Sequence, residues 1–97
     1  MNVVLARPAG MALRAYVRYV QKMEQDVRPA IREHSRIVTA LENLATSIAD
    51  GTEVIIPDWP RPARMTYLHP FKVFYERQPD CLFVIRLRHY AQRPIER

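Results

Sequence analysis

The chain has 97 residues, of which 48% are hydrophobic, and its formal net charge is +5. This length predicts one domain, residues 1–97, with a single core, and the apolar content excludes an intrinsically disordered chain. No apolar run is long enough for a membrane span and the N-terminus lacks the pattern of a signal peptide, so we expect a cytoplasmic protein without membrane association. The single cysteine, Cys81, excludes an internal disulfide, and we interpret it as a small buried strand residue.

The positive charge is concentrated in the last part of the chain. Residues 61–97 contain eight basic and three acidic residues, whereas residues 1–60 contain seven of each. Thirteen of the 15 basic residues are arginines, whose planar guanidinium group suits contacts with carboxylates and phosphates. This basic part predicts a partner that is either an acidic protein segment or a nucleic acid, and the alternative is that the charge only keeps the protein in solution.

The first predicted elements are a short strand and a long helix. Residues 2–6 are a short, mostly apolar run with two β-branched valines, which predicts a strand. Pro8 favours the first turn of a helix, which we expect to run to about Glu24. Its polar stripe is narrow, and the remaining apolar surface is too wide for one neighbouring element to cover. Either two elements enclose this helix or part of its surface binds a partner.

A second helix is predicted from Asp26 to about Gly51. Asp26 suits the N-cap, Pro29 suits the first turn and Gly51 suits the end of the helix. Apolar residues recur between them at helical spacing as far as Ile48, which is the strongest periodic signal in the chain. Because the link between the two helices is so short, we expect an antiparallel αα-hairpin.

Three runs rich in β-branched and aromatic residues predict the strands of a sheet, and prolines exclude regular structure from residues 57–62. Residues 53–56 are a candidate for a brief extra strand. The order β-α-α-β-β-β predicts an α+β fold, in which an antiparallel twisted sheet has the αα-hairpin packed on one face. The three runs are residues 64–68, 71–76 and 82–89, and the turns between them are His69-Pro70 and Gln78-Pro79-Asp80.

Strict alternation along the last strand predicts that its arginines share one face. Because that face begins apolar and becomes cationic, we expect a shallow basic concavity on the helix-free side of the sheet, with Lys72 and Arg64 nearby. The predicted faces are Phe83, Ile85, Leu87 and His89 on one side, and Leu82, Val84, Arg86, Arg88 and Tyr90 on the other.

Several kinds of site are excluded by the sequence. With only Gly10 and Gly51, the chain has no glycine-rich phosphate loop, and we expect no cofactor. Its histidines are scattered and its cysteine is single, so we expect no metal site, and no serine or cysteine has the setting of a nucleophile. A basic and aromatic cluster remains, which suits holding a phosphate backbone, stacking a base or transferring a proton in RNA cleavage, unless it only pairs with surface carboxylates. Its members are Arg64, Lys72, Arg86, Arg88, His89, Tyr90 and Arg93.

In the order of its elements and in two motifs, the chain resembles the RelE/ParE superfamily of type II toxin–antitoxin toxins. The similar order is a short strand, a helical hairpin and a terminal antiparallel sheet. Residues 70–75, PFKVFY, are similar to the family's Y-R-(V/I)-x-Y strand, and residues 84–91, VIRLRHYA, are similar to its V-x-R-V-x-H-x-A-R ending. The resemblance covers most of the chain.

The resemblance implies a compact toxin that inhibits bacterial growth and that a cognate antitoxin neutralises in a hetero-oligomer. The family's antitoxins wrap their toxins with an acidic, amphipathic segment, which the basic second half and the wide apolar surface of the first helix both fit. For the antitoxin we expect contacts at Tyr16, Tyr19, Arg64, Lys72 and Arg86, and for the cellular target at Arg86, Arg88, Tyr90 and Arg93.

The superfamily divides by target, since ParE-like members poison DNA gyrase whereas RelE-like members cut mRNA on the ribosome. The cleaving branch needs several cations and an acid–base group. Here Lys72 and Gln92 stand where that branch has arginines, and the long helical hairpin is more typical of ParE-like members. The chain therefore resembles the ParE-like branch, which is not enzymatic, more closely. In the endonuclease alternative the catalytic candidates are His89, Tyr90, Arg88, Arg86, Lys72 and Arg64, and in a third alternative the chain is an inactive homologue that only binds its antitoxin.

Overall fold

A computed structural model of the chain describes residues 2–90. A helical hairpin and a sheet form the two layers of an α+β fold within this range, as the sequence predicts. The brief extra strand before the last three is confirmed as well. The elements are β1 (Asn2–Leu5), α1 (Arg7–Glu24), α2 (Val27–Thr46), β2 (Thr52–Val54), β3 (Ala63–Leu68), β4 (Phe71–Gln78) and β5 (Cys81–His89).

The five strands form one sheet in the order β1-β5-β4-β3-β2. Strands β2 to β5 pair antiparallel with their neighbours, whereas β1 pairs parallel with β5, from Asn2 beside Cys81 to Leu5 beside Val84. The sheet is therefore mixed, where the sequence predicted a purely antiparallel one. Short turns force β3, β4 and β5 to alternate in direction, but β1 is connected to β5 only through the rest of the chain, so no turn dictates its direction.

The core lies between the sheet and the helical hairpin. Helix α2 contributes Ala30, Ile37, Leu41 and Ala45, at the helical spacing that the sequence predicted. Helix α1 buries only a narrow part of its apolar surface completely, at Ala9 and Leu13. The sheet contributes Phe71, Val73, Tyr75, Leu82, Val84 and Leu87.

Part of the apolar surface of α1 is exposed among the described residues. Met11, Tyr19 and Met23 are 52%, 43% and 62% exposed. Two elements pack against α1, as the first alternative drawn from the sequence predicts, because the sheet covers one side of the helix and α2 covers another. They leave these three side chains exposed, so a partner for the remaining surface stays a prediction. The exposed part continues at Val27 and Ile31, at the start of α2.

The predicted beginning of α2 is confirmed and its predicted end is wrong. The Asp26 side chain caps the helix by accepting a hydrogen bond of 3.0 Å from the Arg28 amide. The helix ends at Thr46, five residues before Gly51, and Ile48 is fully exposed. Residues 47–51 instead cross to the sheet, where Arg77 bonds Asp50 at 2.7 Å and donates to the carbonyls of Ala45 and Ala49.

A β-bulge at Ile85 divides β5 into two halves that differ in orientation. Phe74 pairs with Arg86 and Tyr75 pairs with Val84, so Ile85 is an extra residue in the strand. Leu82 and Val84 face the helices before the bulge, and Leu87 and His89 face them after it.

The predicted division of β5 into two faces is therefore wrong. Strict alternation would have placed Arg86 and Arg88 beside Leu82 and Val84 in the apolar core, where unpaired guanidinium groups are costly. The bulge turns both arginines away from the helices, and both are exposed. In this strand the cost of burying two charged side chains is larger than the cost of interrupting the regular strand pairing.

Residues 57–62 contain neither helix nor strand, as their prolines predict, whereas the extra strand ends at Val54, before the predicted residue 56. The loop of residues 55–62 covers half of the helix-free side of the sheet. Ile56 packs with Ala63 and Ile85 in a second, smaller core. The Trp59 ring stacks on Phe83 with 5.6 Å between the ring centroids. The other half of this side stays uncovered by the described chain.

One ion pair fastens the loop to β4 and gives a prediction on acid stability. Two hydrogen bonds from the Arg61 guanidinium, of 2.6 and 3.0 Å, hold the pKa of the Glu76 carboxyl at about 2, below its ordinary 4.5. A carboxyl with a lowered pKa stabilises the fold above pH 4.5, and this contribution is lost as the pH falls toward 2.

We expect Glu76→Gln to lower the free energy of unfolding at neutral pH by about 1 kcal/mol, because Arg61 is more than half exposed and water screens the pair. At about pH 3 the free energies of unfolding of the variant and the parent should be closer together, because the parent is losing the contribution that the variant lacks. Urea unfolding at the two pH values measures both differences. A difference in free energy of unfolding that stays constant with pH would contradict the lowered pKa of Glu76.

Candidate functional site

The uncovered half of the helix-free side carries the candidate site, which we call the basic face: Lys72 on β4, Arg86 and Arg88 on β5, and Tyr67 on β3. Cross-strand pairing brings them together. Lys72 pairs with Tyr67 on one side and with Arg88 on the other, and two residues further along β4 Phe74 pairs with Arg86. The basic face exists because of the bulge at Ile85, which aims both arginines to this side.

The cations of the basic face lack strong acidic partners. Among residues 2–90, Lys72 and Arg88 form no ion pair, and Arg86 has only Asp58 at 3.8 Å, a carboxylate that is itself 87% exposed. Other basic residues of this part are engaged, since Arg61 bonds Glu76 and Arg77 bonds Asp50. Lys72, Arg86 and Arg88 therefore lie together without a close carboxylate, and such a group of cations attracts an anion.

Aromatic residues border the basic face. The Lys72 Nζ lies 5.9 Å from the centroid of the Tyr67 ring, a cation–π distance. The Tyr67 ring meets the Tyr90 ring edge to face, with centroids 5.3 Å apart. The Tyr90 hydroxyl lies 3.4 Å from His69 Nδ1, and the Tyr90 amide donates to the Pro70 carbonyl at 3.0 Å. Tyr90 is thus fixed at the edge of the basic face, as predicted.

His89, a predicted member of the cluster, lies on the opposite side of the sheet. Its ring packs against Tyr16 and Phe71, with centroids 5.3 and 5.5 Å away. Burial lowers the pKa of His89, which disfavours the charged form of the ring. The expectation that His89 would join the cluster is wrong because residues 86–89 alternate regularly, so that Leu87 and His89 face the helices while Arg86 and Arg88 face the opposite side.

Arg64 is also separated from the basic face, so its predicted place near the concavity is wrong. It pairs with Tyr75, whose ring is buried in the core, and its Nη1 donates to the Gly51 carbonyl at 3.2 Å. Arg64 therefore helps to hold the end of the α2–β2 connection. Arg93, predicted to contact the target, lies outside the described residues.

The residues predicted to contact an antitoxin are distributed over several surfaces. Tyr16 is half-buried and its hydroxyl donates to Glu33 at 2.8 Å, whereas Tyr19 is exposed on α1. Lys72 and Arg86 lie on the basic face, and Arg64 on the helix side of β3. A partner that contacts all of them would have to cover more than one surface of the domain.

The two tyrosines of α1 differ in a way that can be measured. We expect Tyr16→Ala to lower the free energy of unfolding by about 2 kcal/mol, because it removes ring contacts with Phe71 and His89 and the bond to Glu33. We expect Tyr19→Ala to change it by less than about 0.5 kcal/mol, as at other exposed positions. Denaturant unfolding of both variants checks this, and equal losses would contradict the difference in packing.

The arrangement suits binding of an anion better than acid–base chemistry. Within residues 2–90 no group of histidine, cysteine, aspartate and glutamate side chains is suited to a metal ion, and Cys81 is buried as expected. The Tyr90 hydroxyl is the acid–base candidate at the edge of the basic face. Sequence reasoning missed Tyr67 and Asp58, although the pairing of β3 with β4 places Tyr67 beside Lys72.

No family model matches this sequence, and no curated protein matches it. None of the helices in the described part of the chain is both long enough and apolar enough to cross a membrane.

Proposed function

We propose that this chain is a growth-inhibiting toxin that is similar to ParE and acts by binding DNA gyrase through the basic face. The observation that carries the proposal is the group of Lys72, Arg86 and Arg88 on one open sheet surface without strong acidic partners. Such a surface suits a target that is negatively charged or bound to nucleic acid. The motifs that resemble the superfamily supply the class of function.

The position of His89 favours binding over catalysis. Cleavage of RNA needs an acid–base group among the cations that stabilise the transition state. His89 lies behind the sheet against Tyr16, so only the Tyr90 hydroxyl remains for that role at the basic face. An inhibitor that acts by binding needs the cations alone.

A cognate antitoxin with an acidic, amphipathic segment is the second partner in this proposal, and the complex is a cytoplasmic hetero-oligomer. The exposed apolar side chains at the end of the helical hairpin support it, because a monomer gains nothing by exposing them: Tyr19, Met23, Val27 and Ile31. An amphipathic segment that folds on binding would cover such a surface.

The test is pulse-labelling of DNA and protein synthesis after the chain is induced in bacteria that lack the neighbouring gene. We expect DNA synthesis to fall first, because gyrase poisoning blocks replication before it affects translation. A first fall in protein synthesis would reject gyrase as the target. Unchanged growth would leave the inactive homologue that only binds its antitoxin.

A ribosome-dependent mRNA endonuclease is the second candidate, favoured by the place of Tyr90 beside Tyr67 and Lys72. In that case the tyrosine hydroxyl would transfer the proton while Lys72 and Arg88 stabilise the charge on the phosphate. An early fall in protein synthesis together with cleaved mRNA would favour it.

A further inference from the structure

On one side the sheet ends at β1, whose outer edge is open in the described part of the chain. Strand β5 is its only neighbour within residues 2–90. The amide of Ala6, directly after β1, donates to the Val84 carbonyl at 2.9 Å, so every second residue back along β1 bonds toward β5 as well. The amides and carbonyls of Val3 and Leu5 therefore point to the open edge.

A groove of about 490 Å³ runs along this open edge. All four residues of β1 line it. Successive side chains of a strand point to opposite faces, so one groove reaches all four residues only if it follows the edge. Helix α2 forms the other wall with Val38, Leu41 and Glu42, and Val4 is 43% exposed.

The edge at β1 lacks the features by which proteins block the addition of a further strand. Charged residues, prolines and very short strands serve this purpose at sheet edges. The sequence of β1 is Asn-Val-Val-Leu, without charge or proline. At the opposite edge of the sheet, β2 has only three residues and includes the exposed Glu53. Of the two edges, β1 is therefore the one suited to accept a further strand.

We propose that β1 pairs antiparallel with β1 of a second copy of this chain, about a two-fold axis at Val4. Val3 of each copy then pairs with Leu5 of the other, and the polar groups at the two open edges exchange hydrogen bonds. Two sheets of five strands become one continuous sheet. Such a dimer is independent of the proposed function.

The pattern of apolar residues in β1 matches itself in this register. Val3 and Leu5 pack against the core on the helix side, whereas Val4 pairs with Phe83 of the second core on the other side. In the dimer Val3 meets Leu5 on the helix side and Val4 meets its own copy on the other, so apolar side chains meet on both sides. A register shifted by one residue would place Val3 opposite Val4, whose polar groups face β5, and the ladder would be lost.

The charge at this groove does not suit the acidic segment proposed above. Among the described residues that line the groove, Glu42 is the one with a charge, and it repels carboxylates. A second copy brings no charged side chain to the paired strands, because β1 has none. The groove therefore fits another β1 better than it fits an acidic partner.

Residues 91–97 are also less suited to this edge than a second copy. Leu5 pairs with Val84, and Tyr90 lies six residues beyond Val84 in β5 and after it. A return from Tyr90 to the level of Leu5 covers about 20 Å, at about 3.3 Å per residue. Fully extended, residues 91–97 span about 23 Å, so almost none of them would remain to pair with β1.

The dimer would present two basic faces on the same side. A two-fold axis that joins two sheets edge to edge runs across the sheet, so the helix-free sides of both copies point the same way. A target with two anionic sites could then be bound at both of them, which raises the overall affinity without any new contact.

Disulfide crosslinking of the full chain tests the pairing. In a Cys81→Ser background, Val4→Cys places two cysteines directly opposite each other, where the Cα atoms of an antiparallel pair lie about 4.5–5.5 Å apart and suit a disulfide. Asn2→Cys is the matched control, because it lies on the same face of β1 but about 14 Å from its own copy. We expect oxidation to convert the Val4→Cys chain to a covalent dimer at least about tenfold faster than the control.

Sedimentation equilibrium measures the strength of the dimer. The paired strands are short, so we expect a weak dimer with a Kd of about 50 µM. Val4→Glu and Val4→Lys should each raise this Kd at least about tenfold, because like charges then lie directly opposite each other. An equal mixture of the two variants should restore association, since the charges are then opposite. Thr52→Glu, exposed on β2, should leave the Kd unchanged within about twofold.

Several results would overturn the proposal. The pairing is rejected if the chain stays monomeric at millimolar concentration, or if Asn2→Cys crosslinks as fast as Val4→Cys. Failure of the Val4→Glu and Val4→Lys chains to associate with each other would exclude the register centred on Val4. A dimer that Met23→Glu abolishes and Val4→Glu does not would assign self-association to the exposed surface of α1. None of these results depends on growth inhibition, so pulse-labelling judges the proposed function separately.

Discussion

Gly51→Ala is expected to lower the free energy of unfolding by about 3 kcal/mol, an effect at the upper end of those caused by overpacking. A Cβ at this position would lie 2.0 Å from the carbonyl oxygen of Met65 and 2.7 Å from its carbonyl carbon. These are backbone atoms of β3, which is held between β2 and β4, so the contact cannot be relieved by rotating a side chain. The segment itself is also tied down, because the Gly51 amide donates to the Tyr75 hydroxyl at 2.9 Å.

The other glycine of the chain provides the control. A Cβ at Gly10 would have the end of the Arg14 side chain as its nearest neighbour, at 3.9 Å, and Gly10 lies inside α1. Gly10→Ala should therefore stabilise the protein by about 0.5–1 kcal/mol, because alanine has the higher helix propensity. Urea unfolding followed by Trp59 fluorescence compares the two variants. A loss below about 1 kcal/mol for Gly51→Ala would mean that the α2–β2 connection can move away from β3.

Gly51 also illustrates why local signals predicted some features of the fold and missed others. The sequence placed it as the terminator of α2, a common role of glycine. The helix ends earlier because Arg77, 26 residues beyond Gly51 in the sequence, bonds the Ala45 and Ala49 carbonyls and Asp50. A contact between such distant residues leaves no trace in local periodicity, whereas the cap at Asp26 is local and was predicted correctly.

The same distinction holds for β5. Its existence and approximate ends follow from β-branched and aromatic residues, which are local properties. The side of the sheet that each residue faces does not follow from local properties, because one bulged residue reverses the alternation for every residue after it. The cost of burying charge does indicate a bulge, since strict alternation places Arg86 and Arg88 on the same face as the apolar Leu82 and Val84.

Part of the candidate site was accessible to sequence reasoning. The excess of basic residues after residue 60 indicated a cationic surface, and Lys72, Arg86 and Arg88 do lie together. The exclusion of Arg64 depends on strand register, which only three-dimensional pairing reveals, whereas the alternation along β5 already separates His89 from Arg86 and Arg88. The open edge at β1 depends on the parallel pairing of β1 with β5, for which periodicity carries no information.

The double charge reversal Arg86→Glu with Arg88→Glu is expected to reduce growth inhibition about 100-fold, measured as the inducer level that halves the growth rate. Under the proposed function, each reversal replaces an attraction to the target by a repulsion, and losses of this kind amount to several kcal/mol at electrostatic interfaces. Both residues are exposed, and Arg86 has only the weak contact with Asp58, so folding should be unaffected. Arg32→Glu, on the exposed face of α2, is a control for the reversal of a single charge and should leave inhibition unchanged.

Tyr90→Phe distinguishes the binding mode of inhibition from catalysis within the same assay. If the basic face only binds its target, the loss of one hydroxyl that reaches His69 at 3.4 Å should change inhibition by less than about threefold, because a single long hydrogen bond contributes little. If the hydroxyl transfers a proton in RNA cleavage, the same change should lower the rate by about 100-fold or more. The edge-to-face contact with Tyr67 is kept by phenylalanine, so the ring stays in place in both cases. Charge reversal should therefore abolish inhibition, whereas Tyr90→Phe should preserve it. Loss of inhibition in both variants would mean that the basic face is an active site and not only a binding surface.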